Sequence, residues 1–179
     1  PVTLVIPAFN EEGVIRRTLD SAINVDYPDF KIIVVDDGSS DHTSEIVREY
    51  TNRLSNIELY AQPNSGKWSA LDHAVNHVET PIMVILDADS LIDPMALREI
   101  VQPFKDERIG AVSGTVEIGN RDGLLTIFQR IEYLHMQQIL RRAYEVFDGI
   151  IVVPGAIGAW RVSAVKKACL LYTSDAADD

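Results

Sequence analysis

Apolar runs and helical periodicities alternate along the first two thirds of the chain. Four short runs, rich in β-branched residues and bounded by turn formers, predict buried strands; they cover residues 3–6, 31–35, 57–61 and 82–86. After each run, apolar residues three and four positions apart predict a helix. Strand followed by helix, repeated four times, predicts an α/β fold in which a mostly parallel sheet has helices on both faces.

After residue 104 the pattern changes. It predicts one longer strand over 109–118, a long helix from Leu124 to about residue 147, and a short apolar segment over 150–153. We predict one domain over 1–168, with a disordered or non-native tail over 169–179. The chain starts directly on a strand-like segment without a methionine. We therefore expect a C-terminally incomplete piece of a longer protein.

The composition limits the kinds of molecule that the protein is expected to bind and the compartment in which it is expected to lie. The 179 residues are 46% hydrophobic and 24% charged, as in soluble globular proteins, and no apolar stretch approaches the roughly 18 residues that span a bilayer. A formal charge of −11 argues against nucleic acid. Cys169 is the single cysteine, which predicts a reducing compartment. His73 and His77 lie four positions apart, but without a third ligand a metal site there is disfavoured.

Two carboxylates follow the fourth predicted strand, in Asp87-Ala88-Asp89. A carboxylate beside a buried strand is costly unless it has a partner. Two of them at the carboxyl end of a parallel strand, where ligands of open α/β sheets bind, indicate a hard divalent cation with oxygen ligands. For this motif taken alone, a solvated loop with two chance acids is the more common explanation.

The residues that follow the first three predicted strands are expected at the same edge of the sheet as Asp87. Residues 7–12 contain no glycine fingerprint, which disfavours a dinucleotide site. Asp36-Asp37-Gly38-Ser39 offers carboxylates to a base or ribose, although for this motif taken alone a helix-capping turn is the better explanation. Lys67, in the first turn of a predicted helix, either meets an anion or is a solvated surface lysine. Together with the Asp87 motif, these residues suit a nucleoside diphosphate with Mg²⁺ or Mn²⁺.

Four motifs, at residues 6–11, 35–41, 64–67 and 87–89, resemble in this order the family 2 glycosyltransferases of GT-A fold. The resemblance extends from residue 1 to about residue 168. Later segments, at 116–121, 129–133 and 153–161, are similar to the branch of processive membrane polysaccharide synthases that make poly-N-acetylglucosamine, hyaluronan, chitin and cellulose. The family fold is a Rossmann-like, mostly parallel sheet covered by helices on both faces.

The resemblance implies roles for individual residues. Donor binding would involve Pro7, Ala8, Asn10, Glu11, Asp36, Asp37, Lys67, Asp87 and Asp89. Among these, Asp37, together with Asp36, would contact the uracil, while Asp87 and Asp89 would hold Mg²⁺ or Mn²⁺, with Asp89 as the direct ligand. Acceptor binding would involve Gln129, Glu132, Tyr133, Gly155, Ala156, Trp160 and Arg161.

The same resemblance implies a reaction: inverting, metal-dependent transfer of a sugar from a UDP-sugar to a growing polysaccharide. The parent protein would be embedded in the cell membrane through segments absent here and would act at its cytoplasmic face, whereas the fragment itself is expected to be soluble. The family's general base belongs to a motif missing from this chain, so the catalytic residue stays unassigned and we expect an inactive fragment. Two alternatives stay open: a non-processive enzyme acting on a lipid phosphate, and a nucleotide-sugar-binding fragment without turnover.

Overall fold

The part of the chain that the computed structural model describes, residues 1–116 and 157–168, contains a six-stranded sheet. Its strands are β1 (Val2–Ala8), β2 (Phe30–Asp36), β3 (Ile57–Ala61), β4 (Ile82–Leu86), β5 (Ala111–Ser113) and β6 (Ile157–Arg161). The helices are α1 (Ile15–Ile23), α2 (Thr43–Thr51), α3 (Lys67–His77), α4 (Ala96–Val101) and α5 (Val162–Lys167), and a 3₁₀ helix spans Gln102–Lys105.

The strand order β3-β2-β1-β4-β6-β5 places β1 inside the sheet. β1 pairs in parallel with β2, with Ala8 opposite Asp36, and in parallel with β4 on its other side. β2 also pairs in parallel with β3. β6 is antiparallel to both of its neighbours, β4 and β5. The mostly parallel sheet is therefore confirmed, and β1 to β4 end at one shared carboxyl edge.

Two hydrophobic cores cover the two faces of the sheet. On β1, Leu4 and Ile6 enter a core with residues of α1, α2 and α4, whereas Val5 enters a core with residues of α3 and α5. Successive strand residues point to opposite faces, so a strand covered on both sides is apolar along its whole length. This packing explains the continuous apolar runs and confirms the helices on both faces.

The predicted strand over 109–118 is too long, because only three of its described residues (109–116) form a strand. β5 covers only Ala111–Ser113, and residues 114–116 are irregular. Gly114 lies where the chain passes very close to β6, because a Cβ there would lie 2.6 Å from Ile157 Cγ2. Glycine inside an apolar run often marks such an approach or the end of regular pairing.

The sequence predicts Asp93 as the N-cap of the fourth helix with Pro94 as its first residue, and it predicts Ser40 or Asp41 as the cap of the second helix. Both helix starts differ in detail. α4 begins at Ala96, so Pro94 is not its first residue; instead Asp93 Oδ1 accepts a hydrogen bond from Met95 N–H at 2.8 Å and forms a turn before the helix. At α2 the N-cap position is His42, and Asp41, one residue earlier, accepts a hydrogen bond from Thr43 N–H at 3.0 Å and forms a turn before the helix.

Several predictions lie outside the described residues: the helix from Leu124, the apolar segment at 150–153, residues 153–156 of the segment at 153–161, and the tail at 169–179. Within 1–116 and 157–168, no helix combines the length and the hydropathy needed to cross a membrane.

Candidate functional site

Side chains tie the loop after β1 to the loop after β2. Asn10 has a left-handed φ of 56°, and its Oδ1 accepts from Ser40 N–H at 2.8 Å. Its own N–H donates to Ser39 Oγ at 2.9 Å. Glu12 N–H donates to Asp41 Oδ2 at 3.0 Å. These bonds fix both loops at the carboxyl edge of the sheet.

Asp37, directly after β2, has a buried carboxylate with three donors. Oδ1 accepts from Gln62 Nε2 at 2.7 Å and from Ser65 N–H at 3.0 Å, while Oδ2 accepts from Gly66 N–H at 2.8 Å. The residue is only 3% exposed, and its N–H donates to Ala8 O at 2.9 Å. A buried charge needs such partners. Asp37 thereby holds the turn before α3 against the ends of β1 and β2.

Asp36 and Gly38, on either side of Asp37, hold the loop after β2 in place. Asp36 Oδ1 accepts from Ser39 N–H at 3.0 Å, and its Oδ2 accepts from the Ser44 hydroxyl of α2. Gly38 has a φ of +76°, and a Cβ there would lie 2.6 Å from Asn64 N. This position requires glycine, both for its left-handed backbone and for the close approach of the next loop.

Lys67 begins α3 directly after Gly66, which has a φ of 90°. Its Nζ lies 2.6 Å from Asp87 Oδ1, and the two side chains are 50% and 26% exposed. A cation at a helix N-terminus opposes the helix dipole and gains from an anionic partner. Asp87 supplies that partner from the next strand end.

Asp87 and Asp89 stand on either side of Ala88, which is 4% exposed. The Ala88 carbonyl accepts from the buried Thr18 hydroxyl at 2.6 Å, and Ser90 N–H donates to the Asp87 carbonyl at 3.0 Å. The backbone between the two carboxylates is therefore anchored, while the Asp89 side chain stays exposed.

A cleft of about 400 Å³ lies between these strand ends. Seven of the nine predicted donor-binding residues line it: Pro7, Ala8, Glu11, Asp37, Lys67, Asp87 and Asp89. Burial, and after it the charges of Asp89, Asp41 and Asp87, raise the pKa of the Glu11 carboxyl above its ordinary value. Carboxylates from separate loops thus face one space, and their combined field favours a cation.

The Asp87 and Asp89 oxygens have the donor chemistry of a site for Mg²⁺ or Mn²⁺. Among the residues described, no group of three or more His, Cys, Asp or Glu side chains is arranged to hold an ion. Mg²⁺ commonly uses one or two protein carboxylates and completes its shell with water and substrate phosphates. The pair therefore fits a cation that binds together with a diphosphate.

A second cavity of about 1000 Å³ adjoins the cleft and shares Asp89 with it. Its walls come from α1, the loop after Asp89, α4 and residues 112–116. Ile157, the first residue of β6, also lines it. Two different ligands would therefore meet at Asp89.

Residues 3–168 match the family described as Glycosyl transferase family 2. The chain belongs to this family. Poly-beta-1,6-N-acetyl-D-glucosamine synthase of Staphylococcus epidermidis is 30% identical over 166 residues, which is 92% of this chain and 40% of that protein. The synthase of the same name from Staphylococcus aureus strain MSSA476 is 29% identical over 165 residues, again 92% and 40%. The chain thus spans about 40% of the length of these relatives.

Solved structures place this family member in the GT-A fold. A mannosyltransferase, PcManGT from Pyrobaculum calidifontis in complex with GDP-Man and Mn²⁺, has a TM-score of 0.77 at 26% identity, covering 93% of this chain and 46% of that one. TarS residues 1–349 of Staphylococcus aureus, in complex with UDP-GlcNAc, has a TM-score of 0.70 at 21% identity, covering 94% and 47%. The similarity to TarS supports the fold.

Two side chains predicted to bind donor do not line the cleft. The Asn10 amide oxygen is taken by Ser40, and the Asp36 carboxylate is taken by Ser39 and Ser44. Both residues position the loops around the cleft through these hydrogen bonds, and their role as donor contacts stays a prediction. The seven lining residues are brought together, and their donor-binding role stays a prediction.

Trp160 and Arg161, which are predicted to bind the acceptor, lie away from the cleft at the carboxyl edge. β6 runs antiparallel, so Arg161 lies opposite Ile82, at the amino edge of the parallel strands and away from Asp87. Its guanidinium donates to the carbonyls of Phe104 at 3.0 Å, Asp106 at 3.2 Å and Ile109 at 3.2 Å. Trp160 packs against the core formed with α3 and α5. Neither residue lines the two cavities described above, and their predicted role in acceptor binding stays a prediction. The other predicted acceptor residues, Gln129, Glu132, Tyr133, Gly155 and Ala156, lie outside the described residues.

Gln62 is a site residue that sequence reasoning missed. It follows β3 directly and donates to the Asp37 carboxylate. The available signal was its position: it is the first polar residue after a parallel strand, just before the Asn64-Ser65-Gly66-Lys67 turn. His73 Nδ1 lies 2.9 Å from Gln62 Oε1.

Proposed function

We propose that the parent protein transfers a sugar from a UDP-sugar to a growing polysaccharide, with inversion and with Mg²⁺ or Mn²⁺. The observation that carries this proposal is the convergence of Asp37, Lys67 and Asp89 on one cleft from three separate strand ends. A carboxylate for the base, a cation for the diphosphate and a carboxylate for the metal are the groups that such a donor needs.

Asp37 is suited to the nucleoside end. A carboxylate has about four lone-pair positions, and the chain's own donors fill three of them. One position is left for a base N–H, and the buried setting fixes its direction. The base would therefore lie between Asp37 and the Ala8 backbone, which also lines the cleft.

Lys67 and Asp87 are suited to the diphosphate end. Their contact of 2.6 Å is partly exposed, so both groups are accessible to a ligand. A diphosphate that enters would attract the Lys67 ammonium and release Asp87 toward a divalent cation. Such a cation, when bound, supplies charge neutralisation for the departing diphosphate.

The acceptor would approach from the second cavity, which meets the cleft at Asp89. Polysaccharide as the acceptor is supported by the poly-N-acetylglucosamine synthases among the relatives. The base that deprotonates the acceptor stays unassigned, and we place it beyond the acceptor segment. Embedding of the parent protein in the cell membrane, with this domain at the cytoplasmic face, is part of the same proposal.

Thermal unfolding tests donor binding. UDP with Mn²⁺, at about one hundred times its Kd, is expected to raise Tm by roughly 5–10 °C. Asp89→Ala should abolish this shift. Asp93→Ala is the matched control, because Asp93 is an exposed aspartate of the same loop that does not line the cleft. Absence of a shift with both Mn²⁺ and Mg²⁺ would contradict the proposal.

A GDP-sugar is a second candidate donor, because PcManGT was solved with GDP-Man. Parallel titrations with UDP and GDP distinguish the two, and tighter binding of GDP would replace UDP in the proposal. Transfer or donor hydrolysis by the 179-residue chain would exclude a binding fragment without turnover.

A further inference from the structure

We propose that Gln62 is a positioning residue for the nucleoside end of the cleft, and that His73 fixes the orientation of its amide. Gln62 Nε2 donates to Asp37 Oδ1 at 2.7 Å and to Ser69 Oγ at 3.1 Å. Gln62 Oε1 lies 2.9 Å from His73 Nδ1. One side chain thus joins the end of β2 to two residues of α3. The inference rests on the proposed function for the identity of the ligand.

The chemistry of the partners determines which way the amide points. An ionised carboxylate only accepts hydrogen bonds, so the Gln62 NH₂ group must face Asp37. The Gln62 oxygen then faces His73, and His73 Nδ1 must carry a proton to donate to it. A reversed amide would put two oxygens against each other at Asp37.

Gln62 affects the cleft through Asp37. The same carboxylate binds Ser65 N–H and Gly66 N–H, which form the turn before Lys67. Without the Gln62 amide, Asp37 Oδ1 keeps one of its two donors and the carboxylate is less firmly oriented. A less firmly oriented Asp37 would bind the base less tightly, and the turn that it holds would place the Lys67 ammonium less precisely.

His77 provides a matched control for His73. Both rings belong to α3 and lie against the same tyrosine, with centroids 4.0 Å (His77) and 5.8 Å (His73) from the Tyr60 ring. His77 Nδ1 faces the His73 carbonyl at 2.9 Å, within its own helix, and not the Gln62 amide. The His73 and His77 rings also contact each other, with centroids 5.0 Å apart, so His77→Phe keeps a ring beside His73 and removes none of the atoms that join His73 to Gln62.

Calorimetric titration of UDP with Mn²⁺ into the 179-residue chain tests the inference. Gln62→Met, which keeps the length and removes the amide, should weaken binding about tenfold. His73→Phe should weaken it about threefold, because the amide keeps its bond to Asp37. His73→Asn, whose amide restores a donor near the Nδ1 position, should bind like wild type, as should His77→Phe. Gln62→Met should lower Tm by about 2–4 °C, because the buried Asp37 carboxylate loses one of its three donors, whereas Tm should change little in the histidine variants.

Wild-type affinity in both Gln62→Met and His73→Phe would overturn the inference, and so would equal losses in His73→Asn and His73→Phe. If wild type binds no UDP, the proposed function fails. Hydrogen exchange of the backbone N–H groups then tests the positioning role of Gln62 by itself. Faster exchange at Ser65 and Gly66 in Gln62→Met would then uphold its positioning role, and unchanged exchange would overturn it. Nuclear magnetic resonance of His73 adds a direct check, since a neutral ring protonated at Nε2 would contradict the assigned amide orientation.

Discussion

The four parallel strands and the antiparallel β6 place their polar ends differently. β1, β2, β3 and β4 all deliver polar residues to one edge, where Asp37 and Asp89 line a shared cleft. β6 runs the other way, so its last residue, Arg161, lies at the opposite edge and binds three backbone carbonyls. Strand direction, more than residue type, decides which polar strand ends enter the site.

The largest effect is expected from Asp37→Ala, on the parallel side. The substitution removes three part-buried hydrogen bonds, those that the Asp37 carboxylate accepts from Ser65 N–H, Gly66 N–H and the Gln62 amide. We expect the free energy of unfolding to fall by about 3 kcal/mol, together with loss of UDP binding. Urea denaturation measures the first and calorimetry the second. A loss of stability with UDP affinity intact would break the link between Asp37 and the cleft.

Arg161→Met is the corresponding change on the antiparallel side. It removes the donors to three carbonyls and the contact of the guanidinium with the Phe104 ring, whose centroid lies 5.5 Å from Cζ. We expect a loss of about 2 kcal/mol in the free energy of unfolding, with UDP affinity unchanged. Arg53→Met, at an exposed position, is the control. Tenfold weaker UDP binding by folded Arg161→Met would contradict the division between the two edges.

Lys67→Met compares a lysine at the carboxyl edge of the parallel strands with a lysine at their opposite edge. Because its ion pair with Asp87 is half exposed, stability should change by no more than about 1 kcal/mol. UDP affinity should fall about tenfold, and the fall should shrink at high salt. The matched control is Lys31→Met, an ion-paired lysine near the start of β2, at the opposite edge. Equal losses of affinity in the two variants would show a general effect of charge.

The smallest expected effect concerns His42 and Glu12, which join the loops after β2 and β1. The hydrogen bond to Glu12 raises the pKa of the His42 imidazole above 6.5, and hydrogen bonds from His42 lower the pKa of the Glu12 carboxyl below 4.5. The contribution of His42 to the free energy of unfolding is fully present below pH 6.5, and it is lost as the pH rises through the pKa of His42 in the folded protein. The glutamate contribution is present above 4.5 and is lost as pH falls through the folded pKa.

The pair therefore stabilises most between about pH 4.5 and 6.5. His42→Gln should lower Tm slightly at pH 5.5 and leave it unchanged at pH 8.5. His77→Gln, whose partner is a backbone carbonyl, serves as the control. The same Tm difference at both pH values would show that the loss is unrelated to titration.

The sequence predicts the elements of the parallel half because their signals are local. The apolar runs predict both ends of β3 and of β4 correctly. Because the strands are parallel, their carboxyl ends then lie together at one edge of the sheet. Partner choice is not local. Whether Asn10 and Asp36 face the cleft or the neighbouring loop depends on residues about 30 and 8 positions away, Ser40 and Ser44. The direction of β6 follows from packing beside β4, which no short motif encodes.

Calorimetric titration of UDP into wild type and Asp89→Asn, each with and without Mn²⁺, tests the central claim most directly. If the strand-end carboxylates hold a cation that bridges to the diphosphate, wild type binds one UDP only when Mn²⁺ is present, and Asp89→Asn loses the metal-dependent part. Equal UDP affinity in all four titrations would contradict the account.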